Sequence, residues 1–251
     1  MAKKALVTGA SEGIGQAIAR KLKDEGYLIT SVARSETKLK AFTQELGAGH
    51  DYIVADLSIE AGQNKIAGAL DAQHYDVLIN NAGVGTVGDF TDVPLDRQIS
   101  MLRLNAEAVV RLAYAFLKNS KDGDALINVS SALAFMPMPG MGLYSATKSF
   151  VTAFSDTLWF EQKKRGVYVM GLHPGITATN FQTAAGGRKE DLPEGMAQTS
   201  EQVAEVAIRE LKARKKPTVI SGGKNAIFAG TSRILPRKSI VTMTGNMMKK
   251  K

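Results

Sequence analysis

The chain has 251 residues, 44% of them apolar and 22% charged, and it contains no cysteine. These proportions are ordinary for a globular protein with a full core, and the lack of cysteine excludes disulfides and thiolate catalysis. The net charge of +8 is uneven, because residues 209–251 carry twelve Lys or Arg and a single acid, Glu210.

A glycine-rich turn follows the first predicted strand. Residues 4–8 are a short apolar run, residues 9–15 read GASEGIG, and residues 16–25 have helical periodicity. Strand, turn and helix in this order are typical of a mononucleotide-binding unit, whose glycines let backbone N–H groups approach a pyrophosphate at a helix N-terminus. The spacing is G-x-x-x-G-x-G, so the general dinucleotide fingerprint G-x-G-x-x-G is not met.

The second predicted strand, residues 27–33, ends at Arg34. Dinucleotide-binding folds often place an acid here to bind the ribose 2′-hydroxyl, whereas an arginine accommodates a 2′-phosphate. Arg34 therefore favours NADP(H) over NAD(H). The alternative is that Arg34 only begins the helix predicted over residues 36–46.

Strands and helices continue to alternate along the chain. Further strands are predicted at residues 51–55, 76–79, 125–130, 167–172 and 217–220, and helices at 59–70, 94–118, 144–164 and 200–213. This alternation predicts an α/β fold with a parallel sheet covered by helices on both faces. We expect Leu102 and Val110 on the apolar face of the helix over 94–118. That helix also contains Asn105, although asparagine is a mediocre helix former, and Ser200 is the expected N-cap of the last helix.

Tyr144 and Lys148 stand four residues apart, with Ser131 thirteen residues upstream of the tyrosine. Side chains at i and i+4 share one helix face, where the ammonium can lower the phenol pKa from its usual value near ~10. Such a tyrosine is a candidate general acid/base. The same pattern also occurs on helix surfaces, where a Lys stem packs beside a half-buried Tyr without any catalytic role.

Taken together, these residues resemble the short-chain dehydrogenase/reductase family in its single-domain, NADP-preferring form. The resemblance rests on seven motifs in order: Thr8–Gly15, Asp56, Asn80–Gly83, Asn105, Ser131, Tyr144-x-x-x-Lys148 and Pro174-Gly175. It implies a Rossmann-type, doubly wound sheet of seven mostly parallel strands. It also implies an enzyme that interconverts a ketone and its secondary alcohol by hydride transfer with NADP(H).

The resemblance gives each matching residue an expected role. Tyr144 would be the acid/base, Ser131 would orient the substrate carbonyl, and Lys148 would bind the nicotinamide ribose and lower the tyrosine pKa. Asn105 would hold a water in a proton relay behind Lys148. The expected cofactor contacts are Gly9, Ser11, Gly13, Ile14, Gly15, Arg34, Asp56, Leu57, Asn81, Ala82, Gly83, Tyr144, Lys148, Pro174, Ile176 and Thr179.

Glu12 departs from the pattern of the family. NADP-preferring members often carry a basic residue at this position, and a carboxylate would repel a 2′-phosphate unless it points away. Arg34, helped by Ser11, Ser35 and Lys38, still favours NADP(H).

The loop after Ser131 is unusually apolar, with Leu133, Phe135, Met136, Met138 and Met141. In the family this loop lines the substrate pocket, so these residues predict an acyl, steroid-like or aromatic ketone. Packing under a lid or against a neighbouring subunit is an equal alternative. Residues 180–198 lack periodicity and predict a mobile substrate lid.

Two other functions stay open. The chain could be a catalytically idle dinucleotide-binding sensor or scaffold, but a sensor has no need of the complete set Asn105, Ser131, Tyr144 and Lys148. It could also be an epimerase or dehydratase that uses the same Tyr/Lys pair, but such relatives usually have a larger second lobe, for which too few residues follow Pro174.

We expect a dinucleotide-binding domain over residues 1–221 and a basic, apolar extension over residues 222–251, packed on the same domain or on a partner. The extension has seven Lys or Arg and no acid. Its alternative roles are oligomeric packing, contact with an anionic membrane surface, and attraction of an acyl carrier. Nucleic-acid binding is not expected because no reading motif accompanies the charge. The resemblance implies a homodimer or homotetramer acting on a small molecule.

No apolar run approaches the length of a transmembrane helix, and the N-terminus lacks the features of a signal peptide, so a cytoplasmic location is expected. His50, His74 and His173 lie far apart without ligand spacing. We therefore interpret them as core or loop histidines and expect no metal site.

Overall fold

Seven parallel strands form one sheet in the computed structural model, which describes residues 2–186, 197–232 and 235–249. The strands are β1 (Lys4–Thr8), β2 (Leu28–Ala33), β3 (Asp51–Val54), β4 (Val77–Asn80), β5 (Ala125–Val129), β6 (Tyr168–His173) and β7 (Thr218–Ile220). Their order is β3-β2-β1-β4-β5-β6-β7. Chain order reverses between β1 and β4, and open α/β sheets bind ligands beyond the carboxyl ends of the strands at such a point. The predicted fold class is confirmed.

Ten α-helices join and cover these strands in the described ranges. They are α1 (Gly13–Asp24), α2 (Glu36–Leu46), α3 (Glu60–Ala72), α4 (Leu95–Leu102), α5 (Ala108–Asn119), α6 (Gly142–Gln162), α7 (Phe181–Ala184), α8 (Ser200–Ala213), α9 (Gly223–Thr231) and α10 (Arg237–Lys249). Successive strand residues face opposite layers: Ala5 and Val7 pack with residues of α1 and α8, whereas Leu6 packs with residues of α3 and α5. Burial on both faces explains why the strands read as continuous apolar runs.

The helix predicted over residues 94–118 is interrupted around Asn105. A π-helical turn, Arg103–Glu107, separates α4 from α5. The expected apolar face is wrong at two positions, since Leu102 and Val110 are 41% and 37% exposed. The inserted turn changes the register between the two helices. Turns of this kind are uncommon and frequently occur at functional sites.

Thr199, not Ser200, caps α8. The Thr199 hydroxyl accepts a hydrogen bond from the Gln202 N–H at 3.2 Å, and the Gln202 side chain accepts one from the Thr199 N–H at 2.9 Å. This reciprocal pair is a capping box. The expectation for Ser200 is wrong by one residue because it overlooked the Thr-x-x-Gln pattern.

The basic C-terminal segment contains α9 and α10, which the sequence did not predict. The Thr244 hydroxyl of α10 donates to the Pro137 carbonyl at 2.9 Å, and Ile240 is fully buried. This helix therefore packs on the loop after Ser131. The proposed domain division and the partners of the segment stay predictions. Of the segment, Arg233, Ile234, Lys250 and Lys251 lie outside the described residues, as does 187–196 of the predicted lid. Within the described ranges, no helix has both the length and the apolar content to cross a bilayer.

Candidate active site

Hydrogen bonds tie the glycine-rich turn after β1 to the Asn81 motif after β4. The Thr8 hydroxyl accepts from the Asn81 N–H at 2.9 Å and from the Ala82 N–H at 3.0 Å. The Asn81 amide donates to the Thr8 carbonyl at 2.9 Å. The loops after β5 and β6 are joined in the same way, since the Ala132 N–H donates to the Pro174 carbonyl at 2.9 Å. The structure thus brings the predicted motifs to one edge of the sheet.

The glycine-rich turn has the shape of an anion cradle. Gly9 and Gly13 have φ of 66° and 62°, a left-handed conformation that favours glycine. A Cβ at Gly15 would collide with the Gly9 carbonyl and the Asn81 side chain. The N-cap residue of α1, Glu12, makes no capping hydrogen bond through its side chain. The first N–H groups of α1 and its positive dipole end therefore suit a pyrophosphate.

Lys38 neutralises the unexpected acid in this turn. Its ammonium lies 2.6 Å from the Glu12 carboxylate, and this hydrogen bond holds the pKa of Glu12 below its ordinary value. The Glu12 carboxylate also accepts from the Asn180 amide at 3.4 Å. Glu12 is thus paired rather than a free negative charge beside the exposed Arg34.

Asp56 follows β3 at the same edge of the sheet. Burial acts to raise its pKa, but two hydrogen bonds from Ser58, at 2.7 and 2.9 Å, and the nearby charge of Arg34 together lower it. Asp56 therefore stays ionised near neutral pH. Leu57, which follows it, is buried in the core.

Tyr144 and Ser131 meet above the end of β5. Tyr144 lies in the first turn of α6 and is 6% exposed. Burial raises the pKa of Tyr144 to about 12, against the opposing effect of a hydrogen bond with Ser131. The Ser131 hydroxyl in turn accepts from the Leu133 N–H at 3.1 Å. The two hydroxyl groups thus lie together, so that one substrate carbonyl oxygen could accept a hydrogen bond from each of them.

Lys148 lies on the same side of α6, one turn after Tyr144. Its ammonium donates to the Val129 carbonyl at 2.9 Å and lies 5.8 Å from the centre of the Tyr144 ring. Burial lowers the pKa of Lys148 to about 8. The loss of hydration dominates both groups, so the pKa of Tyr144 lies above its ordinary value rather than below it, and the expected lowering by Lys148 stays a prediction.

Asn105 joins two elements of the site through its buried side chain. Its carboxamide oxygen accepts from the Val84 N–H at 3.0 Å, and its amide donates to the Val84 carbonyl at 2.8 Å and the Thr147 hydroxyl at 3.2 Å. Both amide hydrogens are used, so a relay water would have to be held by another atom of this residue. The expected relay role stays a prediction.

His173 supports the turn of α6 that carries Lys148. It is fully buried, with Nε2 2.9 Å from the Thr152 hydroxyl and Nδ1 3.2 Å from the Val219 carbonyl. The Thr152 hydroxyl oxygen also lies 2.8 Å from the Lys148 carbonyl oxygen. Burial lowers the pKa of His173 to about 4, so the ring is neutral at physiological pH.

His74 has acidic neighbours that its sequence position does not reveal. One side-chain nitrogen of His74 and one carboxylate oxygen each of Asp76 and Asp124 lie within 4.8 Å of one another. His74 Nε2 is 3.3 Å from the Asp124 carboxylate. Each carboxylate also accepts a backbone N–H, from Lys4 and from Lys121. The cluster lies at the amino ends of β4 and β5, away from the predicted site residues.

The apolar loop after Ser131 divides between two sides. Leu133, Met138 and Met141 pack in one cluster with Tyr144. Phe135 and Met136 instead line an outer cleft of about 360 Å³, together with Met138 and Arg237 of α10. Which of these residues face the substrate stays a prediction.

The loop after β6 closes the site. Thr179 adjoins Gly13, since a Cβ built there would lie 3.3 Å from its methyl group, and the Ile176 carbonyl accepts from the Gln198 N–H at 2.9 Å. The centre of the Phe181 ring lies 5.4 Å from the centre of the Tyr144 ring, and the two rings are tilted relative to each other. Sequence reasoning missed Phe181 as a neighbour of the tyrosine, and only its place in the predicted lid could have suggested it.

Comparison with known proteins gives consistent matches. A family model described as short chain dehydrogenase matches residues 3–190. The very-long-chain 3-oxoacyl-CoA reductase of Rattus norvegicus is 30% identical over 243 residues, which are 93% of this chain and 75% of that protein. The 7beta-hydroxysteroid dehydrogenase of Mediterraneibacter gnavus is 30% identical over 228 residues, 88% of this chain and 86% of that one. The solved structure of a short-chain dehydrogenase from Sphingobium yanoikuyae in complex with NADPH has a TM-score of 0.82 and 28% identity, and covers 92% of this chain and 94% of that one.

Proposed function

This chain belongs to the short-chain dehydrogenase family and is an oxidoreductase of the CH–OH/C=O couple, and we propose that it reduces an apolar ketone with NADPH, reversibly. The observation that carries the proposal is the buried pair of Tyr144 and Ser131 hydroxyls, with the Lys148 ammonium behind them. They lie at the same sheet edge as the anion cradle. This arrangement suits a carbonyl oxygen that gains negative charge.

NADP(H) is the cofactor that best fits the residues at the cradle. The Sphingobium relative is a complex with NADPH, and here Arg34 is an exposed cation while Lys38 neutralises Glu12. The turn from Gly9 to Gly15 would hold the pyrophosphate, and Arg34 the 2′-phosphate. The other expected contacts are Asp56, Leu57, Asn81, Ala82 and Gly83 toward the adenosine, and Pro174, Ile176 and Thr179 toward the nicotinamide. When bound, the nicotinamide supplies or accepts the hydride.

The residues of the chain handle the proton. Tyr144, with its pKa raised to about 12, stays protonated at neutral pH and can donate to the substrate oxygen as charge develops there. Ser131 donates a second hydrogen bond to the same oxygen and fixes its position. Lys148, with a pKa of about 8, is mostly charged at pH 7 and stabilises the phenolate that remains. At neutral pH, Tyr144 is therefore in the protonated form that the reduction of a ketone requires.

The apolar surroundings of Tyr144 favour a large apolar ketone. Met101 and Met141 are buried beside it, and Val84, Val87, Leu133, Met138, Leu143 and Phe181 pack against them. A methionine-rich, partly exposed lining adapts to different hydrocarbon shapes. The two curated relatives are named for a long-chain 3-oxoacyl substrate and for a steroid. A 3-oxoacyl thioester or a ketone of steroid size is therefore the substrate class we propose.

Self-association would use the outer face of α5 and α6. Tyr114 of α5 and Phe160 of α6 are 72% and 73% exposed, and Val110 and Phe150 of the same two helices are also exposed. Large exposed apolar groups that lie together mark interaction surfaces. Light scattering should show an oligomer that Phe160→Glu weakens. Phe90→Glu, at an equally exposed phenylalanine of a loop, is the matched control.

The function is tested by nucleotide binding followed by turnover. We expect NADPH to bind at a lower concentration than NADH, as measured by quenching of the Trp159 fluorescence or by enhancement of the nucleotide fluorescence. We also expect NADPH to be oxidised when long-chain 3-oxoacyl thioesters or bulky ketones are added. Tyr144→Phe should bind NADPH but not oxidise it. NADPH binding without turnover on any ketone would favour the sensor, and binding without net NADPH oxidation but with product formation would favour the epimerase or dehydratase. Failure to bind either nucleotide would overturn the proposal.

A further inference from the structure

A short helix closes over the candidate acid/base. The Phe181 ring, at the start of α7, lies 5.4 Å from the Tyr144 ring at an interplanar angle of 52°. The same ring contacts the backbone at Gly85, where a Cβ would lie 2.8 Å from Phe181 Cζ. Phe181 thus fills the space between Tyr144 and the loop after β4.

Two hydrogen bonds fasten the end of α7. The Val87 N–H donates to the Ala185 carbonyl at 3.0 Å, and Arg97 Nη2 of α4 donates to the Ala184 carbonyl at 2.7 Å. The last carbonyls of a helix lack intrahelical partners and carry partial negative charge, so a guanidinium is favourable there. Because Arg97 is exposed, this bond can break without leaving a buried charge.

The loop under Phe181 is held more firmly than α7 itself. Asn105 binds both the N–H and the carbonyl of Val84 from a buried position. In contrast, α7 has four residues, and a helix of one turn has little stability of its own. The element that can move is therefore α7 with Phe181, while the loop stays in place.

From these contacts we propose that Phe181 determines the size of the ketone that reaches Tyr144, and that Arg97 holds Phe181 closed. The proposal rests on the proposed function, since it takes the Tyr144 hydroxyl as the group that the ketone must reach. A bulky substituent needs the space that the Phe181 ring fills. We call the hydrogen bond from Arg97 to the Ala184 carbonyl the latch, and the protein is open when this bond is broken and Phe181 has moved away from Tyr144. The apparent dissociation constant for a bulky ketone is its intrinsic value divided by the fraction of molecules that are open. A weaker latch should therefore improve binding of such a ketone.

The kinetic test compares a bulky aryl ketone with a small cyclic ketone. Arg97→Gln should lower KM for the bulky ketone by about three- to tenfold, with kcat changed less than about twofold, because only the open fraction changes. Phe181→Ala should lower KM for the bulky ketone and raise it for the small one. Arg103→Gln is the matched control, because it removes the same charge next to α4 from an exposed residue that is not bonded to α7 within the described residues.

A second measurement reports opening without any turnover. The chain has no cysteine, so Met141→Cys places a single thiol in the buried cluster that contains Tyr144 and contacts Phe181. Labelling of this thiol by a disulfide reagent should be about three- to tenfold faster when Arg97→Gln or Phe181→Ala is added, and unchanged with Arg103→Gln. Thermal unfolding midpoints of all variants separate local opening from global unfolding.

The two measurements distinguish the latch from the function. Faster labelling in Arg97→Gln at an unchanged unfolding midpoint supports the latch, and if no ketone is then reduced by any variant, only the proposed function fails. Equal labelling rates in Arg97→Gln and Arg103→Gln would overturn the latch. A rise in KM for the bulky ketone in Arg97→Gln would overturn it as well, because the bond would then stabilise the productive arrangement.

Discussion

The Lys148 ammonium donates a hydrogen bond to the Val129 carbonyl, at the last residue of β5, over 2.9 Å. This contact joins the strand that delivers Ser131 to the helix that carries Tyr144. The ammonium is almost fully buried, and burial lowers the pKa of Lys148 to about 8. A buried cation with a single described bond of this kind is costly for folding, and such costs are common at functional sites.

Lys148→Met should therefore stabilise the protein while removing activity. The pKa of Lys148 falls from 10.5 to about 8 on folding, and removing the charge should raise the free energy of unfolding at pH 7 by about 1–3 kcal/mol. Wild-type stability rises between pH 8 and 10.5, because the unfolded state holds the proton more tightly there. The advantage of the variant should shrink over the same range.

Urea unfolding at pH 7 and pH 10 measures this difference. Lys118→Met, at an exposed position of α5, is the control and should change stability by less than about 0.5 kcal/mol. A destabilised Lys148→Met protein would mean that the Val129 hydrogen bond outweighs the burial of the charge.

Tyr144→Phe should lower kcat by a factor of about 10²–10⁴, because the proton donor to the substrate oxygen is lost. Ser131→Ala removes one hydrogen bond to the same oxygen and should cost about 10²–10³ in kcat. NADPH affinity should change little in both variants. Steady-state kinetics and fluorescence titration measure the two effects. Tyr114→Phe, on the exposed face of α5, should behave as wild type, and near-normal turnover in Tyr144→Phe would contradict the assigned role.

The fold and the clustering of the motifs could be predicted because most of the motifs directly follow a buried apolar run. Arg34, Asp56, Asn81 and Ser131 come at or just after strand ends, and parallel strands end at one edge. The kinds of group that meet at this edge, and hence the ligand chemistry to expect there, then follow from the types of these residues. This local rule needs no knowledge of distant contacts.

The environment of each side chain could not be predicted in the same way. The i,i+4 spacing places the Lys148 ammonium near Tyr144, but whether it lowers the phenol pKa depends on burial by the surrounding elements. The contact between Phe181 and Tyr144 joins segments 37 residues apart with no shared periodicity. The π-helical turn at Asn105 left only a weak signal, a poor helix former inside a helical pattern. Tertiary packing decides all three.

Arg34→Asp should shift cofactor preference from NADPH toward NADH. Loss of a charge-assisted hydrogen bond to the 2′-phosphate should weaken NADPH binding by about 10–100-fold, and the new carboxylate can accept from the 2′-hydroxyl of NADH. Parallel fluorescence titrations with both nucleotides measure the shift. Unchanged selectivity would mean that Arg34 does not contact the 2′-phosphate.

Lys38→Gln should weaken NADPH binding through Glu12. Without its partner at 2.6 Å, the Glu12 carboxylate is a free negative charge near the cofactor cradle. Glu12→Gln added to Lys38→Gln should recover the affinity that repulsion removed, and the recovery should fade at high salt because exposed charges are screened. Equal affinity of the single and double variants would exclude this repulsion.

His173 should make the protein sensitive to acid. Its pKa is about 4 in the folded state, below its ordinary value of 6.5, because burial disfavours the charged ring. The unfolded state therefore binds a proton first as pH falls. The stability that comes from the neutral ring is complete above pH 6.5 and is lost between pH 6.5 and 4, by roughly 3 kcal/mol in all.

Two measurements check the assignment to His173. The free energy of unfolding should fall from pH 6.5 to pH 4 in the wild type and much less in His173→Gln. His50, whose pKa is also lowered by burial, contributes in the same direction, so His50→Gln is the comparison. In NMR titration, the His173 ring resonances should stay at their neutral positions down to about pH 5. Titration of that ring near pH 6.5 would mean that His173 is hydrated, and that the packing of Thr152 and Val219 around it is looser than the hydrogen bonds at 2.9 and 3.2 Å indicate.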